Sequence, residues 1–511
     1  MQTWTAASKY ITRLQHAGRP LCSITRPVQT LAILMVLLGC GSACHGTTYY
    51  VSTGGIDTNA GTLSSPFRTI QHGLNVATHP GDTVLVRGGT YNEAISFPAS
   101  GTAAGGYITL QNYSGESPSI NGSGLSALKL VDINNRSYVQ LIGFDIQNLF
   151  ALPHDGGGVF VEGSGTNINI LNNTIHHFNY ASSGTDSGRN GRGIAVWGTS
   201  ASADLEQVQI SGNTVYDCHE LYGNVVEISG NAMYFQVTGN TVHDNDGIQI
   251  DVTGGYQPPS FAFWSIRADN GTVSGNTVYN GNVNGIGIYV DGAADTVVES
   301  NVVHDTTVGI QVVAEIANFS AINITVQDNL IYNNSTYGLG AGTATTPGFG
   351  SGSITSCSFL NNTVYNNGAG AYGNIALGNS TYSAIANNIF YAGDNIALSN
   401  FGLKSSSGIW MDNNLYYTLS GNASTALFYF PKGTKVVKYT GFSAYKVGSG
   451  MDPDSIFSQP LFANLAAYDF HEQTGSPTID AGSSSAGYFD PKDFTGATRG
   501  TPPDIGAYEK E

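Results

Sequence analysis

Four carboxylates, Glu227, Asp251, Asp291 and Glu315, fall in successive copies of one short apolar phrase. The copies are residues 193–197 (GIAVW), 225–229 (VVEIS), 247–251 (GIQID), 285–291 (GIGIYVD) and 309–315 (GIQVVAE). If the Ile and Val side chains face inward, the alternate side chains share the other face of one sheet. That outward set is Trp197, Glu227, Gln249, Asp251, Tyr289, Asp291, Gln311 and Glu315. Stacked strands hold equivalent side chains about 4.8 Å apart. Carboxylates that close repel one another, which raises at least one pKa. This suits acid–base chemistry on a sugar, or a calcium site made by Asp251, Asp291 and Glu315. The plain alternative is a solvated acidic face. Asp291 and Glu315 are expected as direct neighbours, about 5 Å apart, near the spacing of a retaining glycosidase. Asp251 and Asp291 are one coil and two residues apart, about 8 Å, within the inverting range. Both geometries stay open. Asp251 and Asp291 are expected to be essential, with Glu315 and Glu227 assisting.

Two insertions flank these carboxylates. Residues 179–192 are rich in Gly and Ser and carry Arg189 and Arg192, while 253–270 carry Tyr256, Phe261, Phe263, Trp264 and Arg267. Flat aromatic faces beside hydroxyl acceptors are what a sugar ring needs. The candidate substrate-binding set is Trp197, Gln249, Tyr256, Trp264, Tyr289, Gln311, Arg192 and Arg267. For any one of the insertion aromatics, ordinary loop packing is the competing explanation.

The elements that must position them are set by a second repeat. Asn173, Asn213, Asn240, Asn276, Asn301, Asn329, Asn362, Asn388 and Asn414 each open a phrase of the type Asn-Thr-Val-Tyr/His-Asp/Asn, which fades in the last two copies. Spacings in the mid-twenties, with a few longer gaps, are those of a solenoid of short coils. Apolar residues five and three places before each asparagine, such as Val208 and Ile210, have period two. Each phrase therefore ends a strand with one inward face. No helical pattern separates the copies, so the strands pair in parallel. An all-β fold follows, a right-handed parallel β-helix of about ten to twelve coils. The asparagines should form one ladder at a bend. His243, Asp244, His304 and Asp305 repeat with them and are read as scaffold.

The chain has 511 residues, 66 of them Gly, and a formal net charge of −17. Residues 1–30 carry Lys9, Arg13, Arg19 and Arg26 and no acid, and 31–38 (LAILMVLL) form a signal-type apolar run. Leu37-Leu38-Gly39-Cys40 then resembles a bacterial lipobox, with Cys40 the lipidated residue; ordinary cleavage near Ala43 competes. Loss of this leader takes the net charge to −21, which argues against a nucleic-acid partner. Cys218 and Cys357 are read as free thiols, since five coils separate them.

Four segments are expected: a leader (1–45), an N-terminal cap and first coil (46–104), the coils (105–425), and a C-terminal module continuing or capping the solenoid (426–511). Ser65-Pro66-Phe67 should open a cap helix over 66–77. From Tyr49 to Glu93 the chain resembles secreted bacterial pectin-lyase-like β-helix proteins, among them family 9 polysaccharide lyases and β-helical glycosidases. Residues 475–482 (GSPTIDAG) and 504–509 (DIGAYE) resemble a C-terminal module of bacterial surface proteins. The resemblance implies the fold and an action on polysaccharide, not a particular reaction. Family 9 lyases, by resemblance, use calcium-binding aspartates and a lysine base. Here no lysine lies between 137 and 403, so that base is missing. A carboxylate-pair hydrolase requires no cofactor. The expectation is a secreted or lipid-anchored monomer acting on polysaccharide, a hydrolase ahead of a calcium-dependent lyase or epimerase, with a non-catalytic carbohydrate-binding surface protein as the third alternative.

Overall fold

The computed structural model describes residues 46–152, 156–180, 191–219, 223–254, 267–282, 284–316, 319–343, 352–402, 408–485 and 487–510, all within one compact unit, Cys44–Glu511. The leader, Cys40 included, lies outside them. Each coil gives one strand to each of three long sheets. One coil consists of Gln236–Thr238, Thr241–His243 and Ile248–Thr253, and the next of Thr272–Ser274, Thr277–Tyr279 and Ile286–Asp291. The three sheets hold 14, 13 and 13 strands among the described residues. The chain is a right-handed parallel β-helix. Twelve complete coils are present among the described residues, within the ten to twelve expected, and the single strands Thr48–Val51 and Ile456–Phe457 add a partial turn at either end. Val237, Val242, Ile250 and Val252 of one coil, and Val273, Val278, Ile288 and Val290 of the next, are fully buried. Fully burying such a side chain stabilises by roughly 1.5–3 kcal/mol before entropy is counted, so the stack of interior residues carries the fold.

The nine asparagines form the expected ladder. The Asn276 Nδ2 donates to Asn301 Oδ1 at 2.9 Å and to the Val237 carbonyl at 2.9 Å, while its own Oδ1 accepts from the Asn240 backbone N–H at 2.9 Å. All nine are buried, and each amide satisfies backbone groups that the sheets leave over at the bend. The residue before each rung is left-handed, and glycine supplies that at Gly212, Gly239 and Gly275. Further along the phrase, His176, Tyr216, His243, Tyr279, His304 and Tyr332 stack ring on ring at 4.6–5.2 Å. The Asp or Asn that follows is again left-handed, as at Asp244 and Asp305, a conformation these two side chains tolerate. A second asparagine series, Asn245, Asn334, Asn367 and Asn374, fills the next bend.

The cap helix spans Ile70–Val76, shorter than 66–77. Phe67 is held in a parallel bridge with Val51, and the N–H groups of Arg68 and Thr69 go to Asp57. The Glu93 carboxylate then accepts from Ile70 and Gln71 N–H, a charge well placed at a helix start. At the other end, the hairpin Leu427–Lys432/Lys435–Thr440 and the helix Phe442–Ser449 close the stack, with Tyr445 on Phe428 at 4.4 Å. The remaining tail turns back along the flank of the coils. Gly506 N–H donates to the Asn387 carbonyl and Ala507 N–H to Thr363 Oγ1. Cys218 and Cys357 are buried and not joined to each other.

Candidate active site

The site lies on the outer face of the sheet that contains Ile248–Thr253 and Ile286–Asp291. Its register is Asp132, Phe160, Ala195, Glu227, Asp251, Tyr289 and Gln311 in one column. The next outward column is Asn134, Glu162, Trp197, Ser229, Thr253, Asp291 and Val313. Asp251 and Asp291 are one coil and two residues apart, as their spacing implied. The directly opposed carboxylates, however, are Glu227 and Asp251. Asp291 faces Val313, and Glu315 lies two residues beyond, past the end of its strand. The phrases do not begin at equivalent positions, since Ile286 pairs with Val308 and Ile288 with Ile310.

Gln249 also departs from expectation. It points inward with Ile250, because the strand kinks at its entry and two consecutive residues face the core. It is fully buried, its Nε2 donating to the Gly247 carbonyl at 3.0 Å and its Oε1 accepting from Asn245. The matching inward positions in other coils are Gly193, Val225 and Gly287: a Cβ on Gly193 or Gly287 would run into core valines.

The remaining outward residues are mostly covered, with Glu315 only half-buried. Asp251 is 2% exposed and Asp291 3%, and Glu227, Arg192, Trp197, Tyr289 and Gln311 are buried with them. Arg192 forms an ion pair with Glu227 and lies 5.2 Å from the Trp197 ring centre. Trp197 meets Phe160 edge-on at 5.3 Å, and its indole N–H has no acceptor among the described residues. Asp251 Oδ2 accepts from Asn224 Nδ2 at 2.7 Å and from the Thr253 hydroxyl. Its Oδ1 has no partner among the described residues. Asp291 Oδ1 accepts from the Glu315 backbone N–H at 2.8 Å, and the Tyr289 hydroxyl donates to Glu315 Oε1 at 2.5 Å. Gln311 accepts from the Tyr337 hydroxyl at 2.6 Å.

Burial raises the Asp251 carboxyl well above the ordinary aspartate range, and the nearby Glu227 and Asp291 push it the same way. The Thr253 hydrogen bond and Arg192 oppose this only in part. Asp291 is raised by burial and then by Glu315, against the Glu315 N–H bond. A carboxyl raised above its ordinary range keeps its proton to higher pH, and with one oxygen tied down and one bare it suits donation of a proton to a leaving group.

Asn224 and Thr253, which orient Asp251, were not anticipated. The register Glu227–Asp251 would have found Thr253, two residues on in the same strand. Lys129 was passed over as well. It shares the column of Arg192 two coils earlier, ion-paired to Glu162 and 5.2 Å from the Phe160 ring centre. Arg267 is elsewhere: it donates to the Ser320 carbonyl at 2.8 Å and covers Phe319. Tyr256, Phe261, Phe263, Trp264 and Arg189 lie outside the described residues. No three His, Cys, Asp or Glu side chains among the described residues converge as metal ligands. Asp251, Asp291 and Glu315 each give one oxygen to a protein donor.

Two family profiles match the sequence. One, described as a Pel9A-like right-handed β-helix region, covers residues 49–219, and a second, a right-handed β-helix region, covers 192–390. The uncharacterised protein YwoF of Bacillus subtilis is 31% identical over 453 residues, 84% of this chain and 92% of its own length. Pectate lyase PEL9 of Emericella nidulans is 44% identical over 78 residues, 15% of this chain and 18% of that one. Among solved structures, XylC in complex with xylose has a TM-score of 0.53 at 12% identity, covering 91% of this chain and 98% of its own. Pectate lyase Pel9A has a TM-score of 0.49 at 14% identity, covering 92% and 98%.

Proposed function

This chain belongs to the Pel9A-like, pectin-lyase-like family of right-handed β-helix proteins, and from that premise we propose that it is an extracytoplasmic enzyme acting on polysaccharide. We assign it as a glycoside hydrolase, with Asp251 the general acid and Asp291, also raised but accepting the Glu315 N–H, the general base once it ionises. The observation that carries this is Asp251 itself: a buried carboxyl raised well above its usual range, fixed through one oxygen, with the other bare. The Asp291 carboxylate, one coil and two residues away, stands at about 8 Å, which leaves room for a water on the far side of the scissile bond. The outcome is inversion. Glu227 is closer to Asp251, but its charge is committed to Arg192, which weakens it as a nucleophile. Glu315, tied to Tyr289 and through its N–H to Asp291, holds the base in place.

The second reading is a lyase. Lys129 is on the same face, and the local similarity to pectate lyase PEL9 names an enzyme of pectate. Digestion of a polysaccharide panel separates the two. Reducing ends without the ultraviolet absorbance of unsaturated uronates mean a hydrolase; both together mean a lyase, and activity lost to chelator and restored by calcium would bring in the metal. Neither product would leave a binding or surface protein. Export is tested separately: Cys40→Ser should release the protein from the membrane fraction, and a mature N-terminus at residue 44 or later would remove the anchor.

A further inference from the structure

The ring stack breaks its own rule at His176. At His243 and His304 the imidazole Nδ1 donates to the carboxylate of the next residue, Asp244 at 2.6 Å and Asp305 at 2.7 Å. That next position is left-handed in coil after coil. Asp217, Asp244, Asn280, Asp305, Asn333 and Asn366 fill it with the two side chains that take this conformation readily. After His176 the residue is His177, left-handed like the rest. Asp or Asn would serve the bend better, and the imidazole puts a ring nitrogen where the repeat keeps an acceptor.

The consequence is two lone pairs face to face. His176 Nε2 donates to Asp145 Oδ1 at 2.8 Å, and His177 Nε2 donates to Asp217 Oδ2 at 2.9 Å. Ionised carboxylates only accept, so each Nε2 carries its ring's proton, and each neutral ring keeps a lone pair on Nδ1. These two Nδ1 atoms meet each other. Asp217 is braced in turn: its other oxygen accepts from His219 Nε2 at 2.7 Å, and His219 Nδ1 donates to Asp246 Oδ2 at 3.0 Å. Imidazoles that bind metal ions are held in this way, the far nitrogen donating to a carboxylate and the near one left as a lone pair.

We infer that His176 and His177 bind a divalent transition-metal ion of the zinc class through their Nδ1 atoms, with Asp145 and Asp217 as the outer carboxylates that orient the rings. A cation between the facing lone pairs removes their repulsion. Imidazole ligands without a thiolate suit zinc, copper(II) or nickel rather than copper(I) or calcium. The two nitrogens lie closer than zinc requires, about 3.3 Å for two tetrahedral bonds of about 2.0–2.1 Å. The His177 side chain is 44% exposed, so its ring can swing toward solvent to admit the ion. No third His, Cys, Asp or Glu side chain among the described residues joins the pair, and water completes the shell. The site is on the sheet that contains Thr174–Tyr180 and Thr214–His219, not on the sheet of the acidic face, and it does not rest on the hydrolase assignment. Through its two outer carboxylates the ion links three successive paired strands, Asp145–Leu152, Thr174–Tyr180 and Thr214–His219.

The test is calorimetric titration of the full chain, stripped of metal and free of any affinity tag, with zinc chloride at neutral pH. Binding of one zinc ion per chain is expected, with a higher melting temperature in its presence. His177→Asn supplies the residue that the repeat itself uses at Asn280 and Asn333, so it should fold as the parent does and lose the ion. His176→Tyr copies Tyr216 of the next coil and should lose it too, so each variant decides the matter if the other fails to fold. Asp217→Asn keeps both imidazoles and should weaken binding about 10–100-fold. A parent chain that takes up no zinc would overturn the proposal, leaving only a proton between the rings. Zinc bound as tightly by a folded His177→Asn or His176→Tyr as by the parent would overturn it equally.

Discussion

The asparagine ladder and the acidic face run along the same coils and obey opposite rules. On the ladder one residue type recurs, and each amide has a partner in the coil before and the coil after. On the acidic face, Ala195, Glu227, Asp251, Tyr289 and Gln311 occupy one column without repeating. There Asp251 Oδ1 and the Trp197 indole N–H are left bare. A solenoid is stabilised by whatever it repeats. Where it stops repeating and accepts raised acids and unsatisfied atoms, stability is being given up, and function is the ordinary reason.

The comparison is sharpened first at the acids. Asp251→Asn and Asp291→Asn should each lower turnover by about 10²–10⁴-fold, since each removes a proton-transfer group while keeping its shape. Thermal melting should show both variants as stable as the parent or slightly more so at neutral pH. Both carboxyls have raised folded pKa values, so the stability they contribute is present below the unfolded value and declines as pH rises through the folded one. Loss of turnover together with a collapse in melting temperature would break the distinction between the two regions.

The ladder should respond the other way. Asn276→Ala strands the Asn240 backbone N–H and the Val237 carbonyl, both buried. A loss of about 2–5 kcal/mol in denaturant unfolding is expected, with turnover per folded molecule unchanged. An effect of similar size belongs to the folded-back tail. Glu472 is raised to about 8 from an ordinary 4.5. Its folded pKa exceeds its unfolded one, so its contribution is complete below about 4.5 and is lost between about 4.5 and 8, at up to about 1.4 kcal/mol per pH unit. Melting followed across that window should show the decline, and Glu472→Gln should flatten it. The smallest effect is expected in the ring stack, where His243 lies between Tyr216 and Tyr279. His243→Tyr continues the stack and should change stability by less than about 0.5 kcal/mol.

The ladder was legible in the sequence because repetition makes register visible: one residue at one spacing, nine times, names its own bend. Parity along the site strands was legible for Ile250, Asp251 and Val252 but failed at Gln249, where the backbone kinks and two neighbours face inward. Register across the coils failed at Glu315. The phrases start at different points relative to the kink, and only hydrogen-bonded pairing reveals that Asp291 faces Val313. The burial of the acids was not legible either. Arg192, Trp197 and Tyr289 are buried on the same face, and a pattern of inward and outward residues cannot distinguish outward and bare from outward and covered.

One pair of substitutions tests the central claim most directly. Asp244→Asn and Asp251→Asn make the same chemical change on neighbouring strands of one coil, the first in the repeat and the second on the odd face. Asp244 is left-handed, a conformation asparagine accepts, and among the described residues its carboxylate meets His243 and Asn280. Assayed side by side on whichever polysaccharide the parent cleaves, Asp244→Asn should keep turnover within a few-fold, while Asp251→Asn falls by at least about a hundredfold. Equal, mild losses in the two would contradict the account, because the acidic face would then be scaffold like the rest.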